Sequence, residues 1–195
     1  AATMARVGEV VFGAPLPATL ATRLLVAADA FGFADPPVAE ALAPAVDRLA
    51  ALIGKREDVT MAPQGLSVWR SAQRALQSSE AWATLRDWVD RENPRFQFSV
   101  ARNLTLGSMI THTERTNAAL MREEARARMR RLLPEGTILC LPTTPFPAPL
   151  RGQAISALAY PRERITSLCC VGGLTGVPHV VVPGGMVDGA PVGLS

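Results

Sequence analysis

Residues 172–195 read GGLTGVPHVVVPGGMVDGAPVGLS. An apolar run lies between Gly-Val-Pro and Pro-Gly-Gly, and a second one begins after Gly189. Short β-branched runs bounded by glycine and proline read as buried strands. Residues 177–182 are therefore expected to form a buried strand turned by Pro183-Gly184-Gly185, with another strand starting in 189–195. Upstream, residues 138–141 (ILCL) give a third short buried strand, followed by a rigid proline-rich loop, PTTPFPAP.

Helical patterns alternate with these runs. Asp35-Pro36-Pro37 starts a helix in which Asp35 suits the cap position and proline the first turn. Val38, Leu42, Val46, Leu49 and Ile53 then recur on one face, and Gly54 ends the helix. Residues 66–89 carry two apolar stripes, consistent with two helices broken near Ser78-Ser79. Residues 96–111 are helical with Gly107 inside, and residues 113–133 form a helix with Ala118, Met121, Ala125, Met129 and Leu132 inward. Residues 5–11 (ARVGEVV) read as a strand burying Val7, Val10 and Val11, turned by residues 13–17, and residues 55–61 as a turn and short strand. Residues 160–167 read as a polar helix-capping segment before the apolar 168–174. Strands alternating with helices indicate an α/β fold with a buried sheet.

Composition narrows the function. The chain has 195 residues, 48% of them hydrophobic, which suits one domain or a large part of one and is far from a disordered profile. Net charge is +3, with arginines interleaved among acids, so no nucleic-acid footprint is expected. No signal peptide and no run of roughly 20 apolar residues is present, so no membrane role is expected. Cys140, Cys169 and Cys170 sit in apolar stretches and read as buried thiols of a reduced, cytoplasmic protein. Neither the cysteines nor His112 and His179 have metal-ligand spacing, so no metal is expected.

The candidate reactive groups have simpler structural explanations. Ser78-Ser79 lacks a glycine-rich neighbourhood, and Ser79 suits a helix cap. Lys55, the single lysine, follows a helix end among charges and reads as solvated. A pair of His179 with Cys169 or Cys170 requires polar, partly exposed thiols, which an apolar run does not supply. Arg122, Arg126 and Arg130 alternate with glutamates as a solvated helix face. Arg102 differs: it stands in the largely apolar FSVARNLTLGSMI, so its guanidinium is expected in a cleft or a buried pair. No nucleophile–base set emerges, and the catalytic assignment is none.

Two segments carry a resemblance. LCLPTTPFPAP is similar to the D-x-L-x-x-P-T-x-P-x-x-A-P segment of the amidase-signature family, through Leu141, Pro142, Thr143, Pro145 and Pro149. The closing stretch resembles that family's N-x-x-G-x-P-x-x-x-x-P-x-G and G-x-P-x-G-x-Q segments. Gly173, Gly176, Pro178, Pro183 and Gly185 match the first, with Gly173 in place of the usual Asn. Gly189, Pro191 and Gly193 match the second, with Ser195 in place of Gln. RVGEVV resembles the family's R-I-G-V strand, and DPPVAEALAPAVDRLAALIG resembles its next helix.

The resemblance implies a mixed β-sheet core flanked by helices and hydrolysis of an amide bond by a Ser–cis-Ser–Lys set without metal or organic cofactor. Those catalytic residues precede the R-I-G-V strand. Residues 1–195 are accordingly expected to be the C-terminal portion of such a domain, truncated at both ends and inactive alone. The segment would supply sheet scaffold and acyl-pocket lining for a small-molecule amide. The resemblance places Arg102 or Asn103 where some members grip a polar substrate. It places Thr166 near an acidic position of glutamine-hydrolysing members, which argues against a glutamine amidotransferase. A complementary N-terminal chain or a homo-oligomer is the implied partner. A non-catalytic assembly module and an excised fragment remain the alternatives.

Overall fold

The computed structural model describes residues 2–13 and 21–195. In chain order these form α1 (Ala2–Phe12), β1 (Arg23–Ala27), α2 (Ala28–Phe33), α3 (Pro36–Ile53), β2 (Arg56–Val59) and α4 (Leu66–Glu92). There follow α5 (Phe98–Ser108), α6 (His112–Leu132), β3 (Thr137–Cys140), α7 (Ala159–Thr175), β4 (Val182–Val187) and β5 (Ala190–Leu194). They divide into two units. One comprises Ala1–Thr60, Leu132–Pro149 and His179–Ser195, the other Met61–Arg131 and Leu150–Pro178.

The first unit holds the strands. β1 is central in a parallel sheet ordered β2-β1-β3, with Leu24 opposite Arg56 and Ile138. Leu24 and Leu25 are both fully buried although they point to opposite faces, the pattern of a central parallel strand. β4 and β5 form an antiparallel hairpin. The backbone after β3 continues the pairing, because Leu141 and Ser195 exchange N–H···O bonds of 3.0 and 2.9 Å and Thr143 N–H donates to Gly193 O at 2.9 Å. Parallel and antiparallel ladders thus meet in one mixed α/β arrangement.

Helix α3 covers this sheet. Val38, Leu42, Ala45 and Val46 pack with Leu24, Val26, Cys140, Val187, Val192 and Leu194. Gly184 and Gly185 let β4 approach α3 closely: a Cβ there would strike Leu42 Cδ2 and the Ala41 carbonyl oxygen. Asp35 occupies the α3 cap position, although its side chain makes no bond to the first turn, and Gly54 ends the helix at φ 87°.

The second unit is helical. α4 runs unbroken for 27 residues and packs against both α5 and α7. Trp69 is fully buried on its inner face, flanked by Leu66, Ala72 and Leu76. Gly107 on α5 sits directly on the α4 backbone at Ser78. α6 opens with a reciprocal cap, in which Thr111 N–H donates to Glu114 Oε2 at 2.8 Å and Glu114 N–H donates to Thr111 Oγ1 at 3.2 Å.

Several sequence expectations give way. Residues 5–11 are helical, with Val7, Val10 and Val11 exposed, so RVGEVV is no strand. The strand preceding α3 is β1, whose neighbours β2 and β3 supply the partners that β-branched residues alone cannot. The expected turn at 13–17 lies outside the described residues beyond Gly13. Residues 78–79 do not break a helix, and the Ser79 hydroxyl, instead of capping, donates to Leu76 O at 3.0 Å within α4. The second stripe of α4 is not a buried face, since Leu85 and Trp88 are exposed. Residues 160–174 lie in the single helix α7, where Ser167 and Thr175 satisfy their hydroxyls on backbone carbonyls one turn back. Residues 177–182 are not a buried strand: Val180, Val181 and Val182 are exposed, and β4 starts at Val182 and runs through Pro183-Gly184-Gly185.

Candidate functional site

The second unit forms a pocket, open to solvent, of about 910 Å³ lined from α4, α5 and α7 and from the segment before α7. Its size is in the range of small-molecule sites. Helix periodicity sets the lining. Arg70, Gln73 and Gln77 are three to four residues apart on α4, so one face presents all of them, and Arg74 is their neighbour. α5 contributes Arg102 and Asn103, and α7 contributes Arg162, Glu163, Thr166 and Cys169.

The charge is one-sided. Arg70, Arg74, Arg102 and Arg162 face a single acid, Glu163, in the lining. Glu163 Oε1 is 3.1 Å from an Arg70 guanidinium nitrogen. The Arg70 Nε is buried with no hydrogen-bond partner. The side chains of Arg74, Arg102 and Arg162 make no ion pair among the described residues. Thr166 is engaged locally, its hydroxyl lying 2.9 Å from Arg162 O and 3.1 Å from Glu163 O.

Arg102, Asn103 and Thr166 therefore all fall in one cavity. Arg102 reaches a cleft, but it is exposed rather than partly buried in a pair. Its apolar flanks serve the other side of α5, where Leu104 and Gly107 are buried. Sequence reasoning missed Arg70, Arg74, Gln73 and Arg162. The i, i+4 spacing of Arg70 and Arg74 was the available signal, but only the α4–α5–α7 packing shows which cations converge.

The other reactive groups are quiet. Burial pushes the Cys140 thiol up to about 11 and that of Cys170 to about 12. Cys169 is exposed, contrary to the expected burial, because its side of α7 opens to the cavity; the surrounding packing nevertheless raises its pKa. None of the three is an activated thiolate. Lys55 is exposed at the end of α3. Among the described residues no His, Cys, Asp and Glu cluster could hold a metal, and no helix is long and apolar enough to cross a membrane.

No family model matches the chain. Amidase 1 of Oryza sativa subsp. japonica is 30% identical over 131 residues, covering 67% of this chain and 30% of the rice protein. The Pisum sativum protein named Translocon at the outer membrane of chloroplasts 64 is 26% identical over 151 residues, covering 77% of this chain and 25% of the pea protein. Among solved structures, one described as an amidase superposes with a TM-score of 0.79 at 24% identity, over 97% of this chain and 45% of that one. A bacterial aryl acylamidase of the amidase-signature family superposes with a TM-score of 0.69 at 14% identity, over 90% of this chain and 39% of that one. The chain is thus similar in sequence to Amidase 1 and shares its fold with amidase-signature structures. The chain spans less than a third of the length of the curated relatives it matches.

Proposed function

We propose that this chain is the C-terminal portion of an amidase-signature serine hydrolase that cleaves a carbon–nitrogen amide bond. Residues 1–195 supply the sheet scaffold and the lining of the acyl pocket. The observation that carries the reading is the cavity of about 910 Å³, into which α4, α5 and α7 bring Arg102, Asn103 and Thr166 together. In this reading Arg102 and Asn103 orient the substrate, and Thr166 is an uncharged part of the lining.

The nucleophile and base come from outside the described residues. Ser79 is held in mid-helix with its hydroxyl on the Leu76 carbonyl, with no adjacent backbone N–H free to form an oxyanion hole. The reaction needs no metal and no organic cofactor, and it takes place in the cytoplasm. A complementary N-terminal chain, or a second copy, completes the site. The exposed Val180, Val181 and Val182 offer such a partner an apolar strip. The pea relative, named as a translocon rather than an enzyme, favours a second reading, in which this fold serves assembly without catalysis.

The test is ammonia release from a panel of aliphatic and aryl amides, alongside intact mass. A natively purified species much heavier than 20.7 kDa that releases ammonia, with the 195-residue chain inactive alone, is expected. Turnover by the isolated chain would overturn the assignment of the catalytic groups. A native species without turnover on any amide would favour the assembly reading.

A further inference from the structure

We infer that the α4–α5–α7 cavity is built for an amide substrate that carries a carboxylate and no ammonium group. This deepens the proposed function and rests on it. Three observations converge. First, four arginines reach the cavity from three different helices, against one acid. By contrast, Arg122 and Arg126 on α6 each have an acid within reach: Glu80 of α4 lies 3.6 Å from Arg122 and Glu123 lies 3.0 Å from Arg126.

Second, the lone acid is engaged. Glu163 holds Arg70 through one carboxylate oxygen. Arg74, Arg102 and Arg162 are exposed and line the pocket. A ligand carboxylate is an acceptor for such groups, and the planar guanidinium matches it in two parallel bonds.

Third, the lining holds a single negative charge, that of Glu163, already paired with Arg70. The other polar groups there include Gln73, Gln77 and Asn103, which are neutral, and Thr166, whose hydroxyl is engaged with the helix backbone. An ammonium would meet three arginines without ion-pair partners against that one paired carboxylate. Substrates of amino-acid type are thereby disfavoured, and a monoamide of a dicarboxylic acid fits. Its hydrolysis consumes one solvent water, breaks the C–N bond, and yields the dicarboxylate and ammonium.

Three short amides that differ in terminal charge test this on the natively purified protein: succinamate, neutral butyramide and cationic β-alaninamide. Calorimetric binding is read separately from ammonia release. Succinamate is expected to bind at least about tenfold tighter than butyramide, and β-alaninamide not at all, since one charge-assisted pair corresponds to a factor of ten or more. Raising salt to about 0.5 M should erase most of that preference. Arg74→Gln and Arg162→Gln should each weaken succinamate about tenfold, whereas Arg122→Gln, outside the cavity, should leave it unchanged. Equal binding of the three probes, preference for β-alaninamide, or no succinamate binding at about 10 mM would overturn the inference. Succinamate bound with this charge preference but not hydrolysed would leave the cavity assignment standing and remove the amidase reading. Neutral amides hydrolysed and bound as well as succinamate would do the reverse.

Discussion

The side chain of Gln73 on α4 lies over Gly173 on α7, so that a Cβ added to Gly173 would come within 2.7 Å of Gln73 Nε2. The resembled family usually has Asn at this position. Here the missing side chain makes room for a glutamine from the neighbouring helix, and both residues line the cavity. Gly173→Asn is expected to expel Gln73 and lower the melting temperature. Adding Gln73→Ala to that variant should restore most of the loss. Additive losses in the double variant would show that the two positions are not coupled.

A second glycine contact is less forgiving. A Cβ on Gly107 would run into the backbone carbonyl of Ser78, which cannot swing aside as a side chain can. Gly107→Ala should cost about 1–3 kcal/mol in chemical denaturation, the usual range for overpacking. Gly32→Ala has nothing within 4 Å and serves as the control. It should be neutral or stabilise by about 0.4–1 kcal/mol through the unfolded state.

The thiols should separate by reactivity. Cys169 is exposed and should be alkylated in the folded protein at pH 8, slowly because its pKa is raised. Cys140 and Cys170, at about 11 and 12, should react only after denaturation. Folding favours their protonated forms, so the associated stability is intact below the ordinary thiol value of 9.0 and is lost as pH climbs through the raised values. Denaturation midpoints should therefore fall between pH 9 and about 12. Midpoints unchanged across that window in the wild type, but shifted in Cys140→Ala and Cys170→Ala, would contradict this.

Acid should act at the start of α6. Thr111 holds the Glu114 carboxyl below its ordinary value of 4.5 through side-chain and backbone hydrogen bonds. A lowered carboxyl pKa favours the folded state above the ordinary value and ceases to do so as pH falls through the lowered one. Amide hydrogen exchange in the first turn of α6 should then rise below pH 4.5 relative to mid-helix amides, and Glu114→Gln should flatten that response.

Much of this architecture was legible in residue order. The α3 periodicity, Gly54, the α6 stripe and the loop opening at Pro142 all stand where their chemistry predicts. The errors share one cause. Val7, Val10 and Val11 look like strand residues, yet a strand exists only where neighbours complete its ladder. The strands at residues 56–59 and 138–140 were legible, but only the sheet shows that they flank Arg23–Ala27 and not residues 5–11. Pro183-Gly184-Gly185 reads as punctuation, yet the glycines are there because α3 presses on β4. The cavity was half-legible for a similar reason: Arg102, Asn103 and Thr166 came from resemblance, whereas Arg74 and Arg162 join them only through helix packing. The Thr111-x-x-Glu114 cap is a local signal for the start of α6.

The β1–β3 pairing has a consequence in time. Thr22 N–H donates to Gly136 O, a bond that spans 114 positions of chain. At ribosomal speeds of about 5–20 residues per second, β1 waits on the order of ten seconds for its second neighbour. During that interval Leu24, Leu25 and Val26 present an unpaired apolar edge, with only β2 and the first helices to shelter it. Soluble yield should thus depend on what holds the nascent chain before Thr137 is made. Co-expressed chaperones that cover extended apolar segments are expected to raise that yield.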